Sequence, residues 1–291
     1  MKKCCALRAE SNCKMKKLFS LLAAALVLVP AASCSKAPET LKVVSYNIRY
    51  GKAADGENAW EFRKDATPAM IAAVAPDVFG IQEAIPEQEA FILETCPDYK
   101  AAGVGREDGA NEGERMSIFW NTKTVEMLEW GTIWLSETPD VPSKGWDARC
   151  KRTATWGYFE KKDSGRKFFF DNTHLDHRGV IARREGLALV RSEIARRNPD
   201  HLPMVLTGDF NILQSDSLIV DFSKEMNNAR VTAEVTDTLP SFHGWGDCEK
   251  VIDYIYYDGF SACKRFQTHV ERFAGKPYIS DHYPIEAVLE F

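Results

Sequence analysis

The chain has 291 residues with 37 basic and 42 acidic side chains, a net charge of −5. A protein that grips long nucleic acid nonspecifically is usually basic, because neutralised phosphates and released counterions supply the affinity, so any phosphate recognition here must be local. No Gly/Ser-rich or Pro-rich linker interrupts the chain after about Thr40, and no internal repeat is visible, which fits a single domain.

After Met15 come Lys16 and Lys17, then an apolar run from Leu18 to Val29, then the small residues of "PAASC" leading to Cys34. A positive start, a short apolar stretch and small residues before the cut describe a secretory signal. Twelve apolar residues, Leu18 to Val29, fall short of the ~20 needed to span a bilayer. The cysteine directly after the small residues resembles a bacterial lipoprotein box. That likeness implies removal of residues 1–33, lipidation of Cys34, a short tether over 34–40 and a folded domain over 41–291. It also implies an exported protein, lipid-anchored in the periplasm or at the outer membrane, that meets the membrane only through Cys34; secretion without a lipid is the alternative. The first 14 residues fit no part of such a signal, which makes Met15 the expected start. Residues 1–33 hold six basic side chains and one acidic, so the mature chain carries a charge of −10. Cys96, Cys150, Cys248 and Cys263 form no C-x-x-C pair, which disfavours metal binding by thiolate and leaves any disulfide pairing open.

The first predicted element is a strand over "LKVVSYN", ending at Asn47. A helix over "TPAMIAAVA" follows, with Thr67 as N-cap and Pro68 in the first turn. "DVFGIQE" reads as a second strand closed by Glu83, and "PEQEAFILETC" as a helix again opened by proline. Beyond a Gly- and charge-rich loop from Gly103 to Glu114, the segments "MSIFWN", "TATWGYFE" and "RKFFFDNTHL" read as strands, the last carrying His174. "ARREGLALVRSEIARR" puts Leu187, Val190 and Ile194 on one helical stripe with arginines opposite. "MVLTGDF" and "VIDYIYY" are strands carrying Asp209 and Asp253, and "PIEAVLEF" ends the chain as another. Two sheets covered by helices on their outer faces accommodate this order.

Five polar clusters therefore lie at or beside strand ends: "SYNIRYG", "GIQEA", "NTHLDHRG", "LTGDFN" and "SDHYP". Such an edge can gather Asn, Glu, Asp and His around a hard divalent cation and its substrate, which points to metal-assisted hydrolysis. Glu83 offers a hard anionic oxygen, and Asn47 can orient a carboxylate or bind the cation without adding charge. Asp209 and Asn211 lie two apart, and at a strand terminus such a pair can face the same way. His174 and His282 can stabilise charge on phosphoryl oxygens or protonate a leaving oxygen near neutral pH. Asp281 precedes His282 directly, so in a strand their side chains diverge. An acid inside the apolar strand "VIDYIYY" is costly unless paired, which makes Asp253 a site residue or half of a structural ion pair.

In this order and spacing the clusters resemble the endonuclease/exonuclease/phosphatase superfamily, from Lys42 to Glu290. The resemblance implies an α/β (α+β) fold of the DNase I type, a four-layer sandwich of two mixed β-sheets flanked by helices. It implies a monomeric enzyme that hydrolyses phosphate esters by in-line attack of water, with Mg²⁺ or Mn²⁺ held by Asn47 and Glu83. Asp209 then handles the water, Asn211 holds the phosphoryl oxygens, and His174, Asp253, Asp281 and His282 complete the catalytic set, with Asp281 paired to His174. Arg152 matches an arginine of relatives that can reach a phosphate, and Arg106 and Arg115 could form a rim at the long loop. His177, Arg178 and His243 match positions of the bacterial secreted branch and are expected to meet the non-phosphate half of the substrate. Trp60, Trp130, Trp134, Trp146 and Trp156 are expected as core or loop anchors rather than base-stacking platforms.

The resemblance implies a nuclease-type phosphodiesterase of the cell envelope, exonuclease-like toward RNA or DNA; the alternatives are a sphingomyelinase-like enzyme acting on phospholipids and an inositol-phosphate phosphatase. The mature charge of −10 stands against processive work on nucleic acid. Calcineurin-like metallophosphatases are disfavoured by the lack of a "GNH" cluster and an early D-x-H, and a zinc hydrolase by the lack of a further His/Cys cluster beside "HLDH". A lipoprotein that kept the scaffold only to bind would have lost Asp209 or His282, and both are present.

Overall fold

The protein is described by a computed structural model over residues 38–291; the expected leader and Cys34 lie outside the described residues. Twelve strands run in chain order: β1 (Thr40–Asn47), β2 (Val78–Gln82), β3 (Tyr99–Ala102), β4 (Ile118–Asn121), β5 (Val125–Trp134) and β6 (Thr153–Lys161), then β7 (Lys167–His174), β8 (Met204–Asp209), β9 (Asn227–Asn228), β10 (Asp253–Asp258), β11 (Ala262–Thr268) and β12 (Ile285–Glu290). The helices are α1 (Trp60–Arg63), α2 (Ala66–Val74), α3 (Pro86–Thr95), α4 (Val180–Arg197), α5 (Ser217–Glu225) and α6 (Ala229–Thr232). Among the described residues no helix is long and apolar enough to cross a membrane.

The strands form two six-stranded sheets, ordered β11-β12-β1-β2-β4-β3 and β5-β6-β7-β8-β10-β9. Each sheet holds one parallel pair, β1 with β2 and β7 with β8, and its other pairs are antiparallel. Helices make both parallel crossovers, α1 and α2 in the first sheet and α4 in the second. Because both faces of these central strands are covered, β2 and β8 are buried at every residue and read as continuous apolar runs.

Three apolar layers account for the sandwich. Leu41, Val43, Val78, Phe168, Phe170, Val205, Ile255 and Leu289 join the two sheets face to face. Met70 and Ile71 of α2 and Ile92 of α3 cover Tyr46, Phe79 and Phe119 on one outer face. The Leu187, Val190 and Ile194 stripe of α4, with Ile219 and Phe222 of α5, covers Phe169, Leu206 and Tyr256 on the other. Trp60, Trp134 and Trp156 are core residues as expected, whereas Trp130 is exposed. Thr67 is not the cap of α2: the helix begins one residue earlier, and the buried Thr67 hydroxyl lies 3.4 Å from the Tyr46 hydroxyl.

Toward the ends of the parallel pairs the inter-sheet layer turns polar. Gln82 Nε2 donates to Asn172 Oδ1 at 2.7 Å, Thr207 Oγ1 donates to the same oxygen at 3.0 Å, and Asn172 Nδ2 donates to the Ile81 carbonyl at 2.8 Å. A Cβ at Gly80 would stand 2.3 Å from Asn172 Oδ1, so only glycine lets the strands approach this closely. This buried network fixes the register of one sheet against the other, and the polar clusters sit directly beyond it.

Candidate active site

The carboxyl ends of both parallel pairs meet at one edge of the sandwich. Asn47 ends β1, Glu83 follows β2, His174 ends β7 and Asp209 ends β8. Asp253 opens β10 directly across from Asp209, in register with it. His282 precedes β12 and is held in place by a bridge to Phe242 and by the Tyr283 N–H bond to the Ser241 carbonyl, 2.7 Å. Arg49, Glu83 and Asn211 have φ of 64°, 65° and 53°, a left-handed backbone that bulky residues seldom adopt, so the chain is bent at three site positions.

Asn47 links the two halves. Its Nδ2 donates to Glu83 Oε1 at 3.1 Å and to Asp209 Oδ2 at 3.0 Å, while its Oδ1 accepts from the Arg49 N–H at 2.9 Å. Of the two roles open to Asn47, this is the orienting one. Burial disfavours the Glu83 anion, yet the bond from Asn47, the charge of His282 and the Tyr50 N–H outweigh it and lower its pKa. Asp209 goes the other way: burial and the neighbouring Asp253 carboxylate push it up to about 7. Ligand atoms of Glu83, His174 and Asp209 lie within 4.8 Å of one another. Two carboxylates converging on one neutral amide concentrate negative charge, and an oxygen-rich set of this kind fits a hard divalent cation.

The histidines differ. His282 Nδ1 is 2.9 Å from Asp253 Oδ2, and although burial opposes its cation, Asp253, Asp209 and Asp281 raise its pKa to about 10. His174 is held well below its ordinary value by burial and by the positive charges of Arg152 and Arg106. A neutral His174 accepts at Nε2 from Asn211 Nδ2, 3.0 Å away, which leaves its proton on Nδ1. The expected pairing of Asp281 with His174 is therefore corrected. Asp281 turns instead to Arg49 Nη1 at 3.6 Å, with Ser280 Oγ 3.2 Å from its Oδ1, because residues 280–284 are not strand and the two neighbouring side chains leave in different directions. Asn211 does face the site beside Asp209, through its left-handed backbone and an N–H bond to Asp209 Oδ1 of 2.9 Å rather than through strand alternation.

These groups line a cleft of about 630 Å³ whose walls include Arg106, Glu114, Arg152, His177 and Lys250. Arg152 is buried, with Nε 3.3 Å from Asp176 Oδ2 and Nη2 2.9 Å from His177 Nδ1. Arg178 is exposed and does not line the cleft. Nor does His243, which is buried against the rings of Tyr278 and Tyr283, at 4.5 and 4.1 Å between centroids. Its backbone acts instead, the His243 N–H donating to the Asp281 carbonyl at 3.0 Å. Arg115 bonds Glu89 at 3.1 Å and Asn111 at 2.7 Å, a structural role under the long loop. The residues that sequence reasoning passed over are Arg49, Asp176 and Glu114. The first two lie inside the quoted "SYNIRYG" and "NTHLDHRG" clusters, and Glu114 closes the Gly-rich loop.

The sequence matches the Endonuclease/Exonuclease/phosphatase family over residues 44–282. The chain belongs to that family. It is similar to an endonuclease/exonuclease/phosphatase from Bacteroides vulgatus, 35% identical with a TM-score of 0.82 over 87% of this chain and 99% of the other. A family protein from Bacteroides thetaiotaomicron is 34% identical, TM-score 0.80, over 87% and 98% of the two chains. A mannosyl-6-phosphatase from Bacteroides thetaiotaomicron VPI-5482 is 33% identical, TM-score 0.82, over 86% of this chain and 100% of that one. As a member of the endonuclease/exonuclease/phosphatase family the chain is a phosphoesterase with the DNase-I-like fold, and two overlapping groups are candidates to hold a metal, Glu83 with His174 and Asp209, and Asp209 with Asp253 and His282.

Proposed function

We propose that this protein is an exported, lipid-tethered, monomeric hydrolase that uses Mg²⁺ or Mn²⁺ to cleave phosphate esters of small molecules. The observation that carries the hydrolytic reading is the pair of carboxylates, Glu83 and Asp209, bridged by Asn47 beside the Asp253–His282 pair. A cation held at Glu83, whose carboxylate Asn47 orients, would supply Lewis-acid stabilisation of the phosphoryl and leaving oxygens. Asp209 Oδ2, held by Asn47 and facing His282 Nε2 at 3.7 Å, is placed to take the proton of the attacking water. His282, kept cationic by Asp253, donates from Nε2 toward the phosphoryl group or the departing oxygen. Asn211 orients the phosphoryl group and fixes the neutral tautomer of His174.

Small substrates are favoured over long nucleic acid by the mature charge of −10 and by a cleft of about 630 Å³. The likeness to a mannosyl-6-phosphatase over its whole length supports a phosphomonoester. Export and lipidation at Cys34 rest on the leader "MKKLFSLLAAALVLVPAASC". The test is hydrolysis of a panel comprising single-stranded RNA, DNA, sphingomyelin, inositol phosphates, hexose phosphates and bis(p-nitrophenyl) phosphate, with Mg²⁺ or Mn²⁺. Cleavage that needs metal and vanishes in Asp209→Ala is expected. A folded, metal-binding protein that cleaves nothing would overturn the reading.

A further inference from the structure

One wall of the cleft has more hydrogen-bonding capacity than the hydrolytic centre uses. Arg106 Nη1 pairs with Glu114 Oε2 at 2.7 Å, and their side chains are 12% and 14% exposed. Arg152, 5% exposed, leaves its Nη1 without a partner among the described residues, whereas Arg106 Nε meets Glu107 Oε1 at 3.4 Å. A buried donor left unpaired is costly, and Arg152 lines the cleft beside His174 together with Arg106 and Glu114. The long loop that presents Arg106 and Glu114 is built to hold its shape. The Asp108 carboxylate accepts from the N–H groups of Ala110 at 2.8 Å and Glu112 at 2.9 Å, the Trp134 Nε1 donates to the Arg106 carbonyl at 2.7 Å, and the Lys151 Nζ donates to the Glu107 carbonyl at 2.7 Å.

The chemistry of this wall selects its ligand. A bare phosphate asks only for donors, whereas here the Glu114 carboxylate, paired with Arg106, lines the cleft together with the Arg152 guanidinium. Neighbouring hydroxyls suit that set, since each can donate to Glu114 and accept from an arginine. We infer that Arg106, Glu114 and Arg152 form a subsite for the hydroxyl groups of a phosphorylated monosaccharide, so that the ester cleaved is a sugar phosphate. This rests on the hydrolytic reading above. In the reaction the water oxygen bonds to phosphorus, the phosphorus–oxygen bond to the sugar breaks, and a proton passes to the sugar oxygen, giving free sugar and inorganic phosphate.

The test compares mannose 6-phosphate with p-nitrophenyl phosphate in the purified protein, wild type and Glu114→Gln, with Arg106→Gln as a second variant. The expected result is that kcat/KM for mannose 6-phosphate falls at least ~10-fold further than for p-nitrophenyl phosphate, mostly through KM. Calorimetry on metal-free protein should show mannose 6-phosphate binding tighter than inorganic phosphate, with the difference reduced in Glu114→Gln. Equal losses on both substrates in both variants would overturn the subsite. A wild-type protein that cleaves p-nitrophenyl phosphate but neither mannose 6-phosphate nor glucose 6-phosphate would overturn it too, leaving the hydrolase intact. Cleavage of neither class with either metal would overturn the hydrolytic reading itself.

Discussion

The carboxylate of Asp253 stands 2.9 Å from Nδ1 of His282 and turns the ring so that Nε2 lies 3.7 Å from Asp209 Oδ2. A carboxylate behind an imidazole fixes its tautomer and favours its cation. In metal-free Asp253→Asn the His282 pKa should fall from about 10 toward or below the ordinary ~6.5, as read by NMR titration. The folded pKa is raised, so this pair's stabilisation is full below about pH 6.5 and is lost as pH climbs through about 10. Wild type should therefore lose stability over that window faster than the variant, whose hydrolysis should drop by about 10²–10⁴-fold. An unchanged titration would remove Asp253 from the site.

Glu83 and Asp209 meet through Asn47, and repulsion between them is relieved when a divalent cation binds. Mn²⁺ or Mg²⁺ at about 100 times its dissociation constant should stabilise the fold by ~2.7 kcal/mol. Calorimetric scans should show this rise in wild type and a much smaller one in Glu83→Gln. Asp209→Ala and His282→Ala should keep the fold and lose hydrolysis, and chelator should abolish wild-type activity reversibly. A Glu83→Gln protein with wild-type metal stabilisation would move the ion elsewhere.

The central strands were legible because β1, β2, β7 and β8 are apolar runs that end in polar clusters and β10 is an apolar run opened by Asp253, and these named most of the site. The edge strands were not. β5, "VEMLEWGTIW", alternates charge and bulk with most residues only partly covered, and β11, "ACKRFQT", carries Lys264 and Arg265 in a bulged ladder. β3, "YKAA", has four residues and no apolar run. The partner of His282 was hidden for a different reason. Its placement depends on the loop around Phe242 and His243 docking on residues 281–283, a long-range contact that no local pattern encodes. The same docking explains His243, whose aromatic neighbours Tyr278 and Tyr283 sat nearby in the sequence as the signal for a packed ring.

Asp171, in the middle of β7, points away from the site and is buried, with Oδ1 free of hydrogen bonds among the described residues. Burial pushes its pKa up to about 8. The folded state then keeps a proton that the unfolded chain releases near pH 4, so wild-type stability falls as pH rises from there to about 8. Asp171→Asn removes this slope. Its advantage in denaturant unfolding should be small at pH 5 and grow by up to ~1.4 kcal/mol per pH unit toward pH 8. A constant difference across that range would show that Asp171 does not titrate on unfolding.

Arg63 is a fully buried arginine with no carboxylate partner among the described residues. Its Nη1 donates to the carbonyls of Ile48 at 2.9 Å and Ile279 at 2.7 Å, and its Nε to that of Asn58 at 2.9 Å, while the rings of Trp60 and Trp245 flank the guanidinium at 5.2 and 5.5 Å. Ile48 follows Asn47, and Ile279 precedes Ser280, whose hydroxyl donates to the Asn47 carbonyl at 2.7 Å. One side chain thus ties the end of β1 to the segment carrying Asp281 and His282. Arg63→Met would strand the Ile48 and Asn58 carbonyls, that of Ile279 keeping the Tyr46 hydroxyl at 3.0 Å, and should cost about 2–4 kcal/mol, measured by chemical denaturation. Arg63→Lys should recover little of that loss, because an ammonium is a point donor that cannot reproduce the fork or stack between two indoles. Below their unfolding transitions both variants should also show reduced kcat, since Asn47 and His282 lose their common anchor. Wild-type kcat in a destabilised Arg63→Met would mean that the site keeps its geometry without this tie, and would confine Arg63 to stability alone.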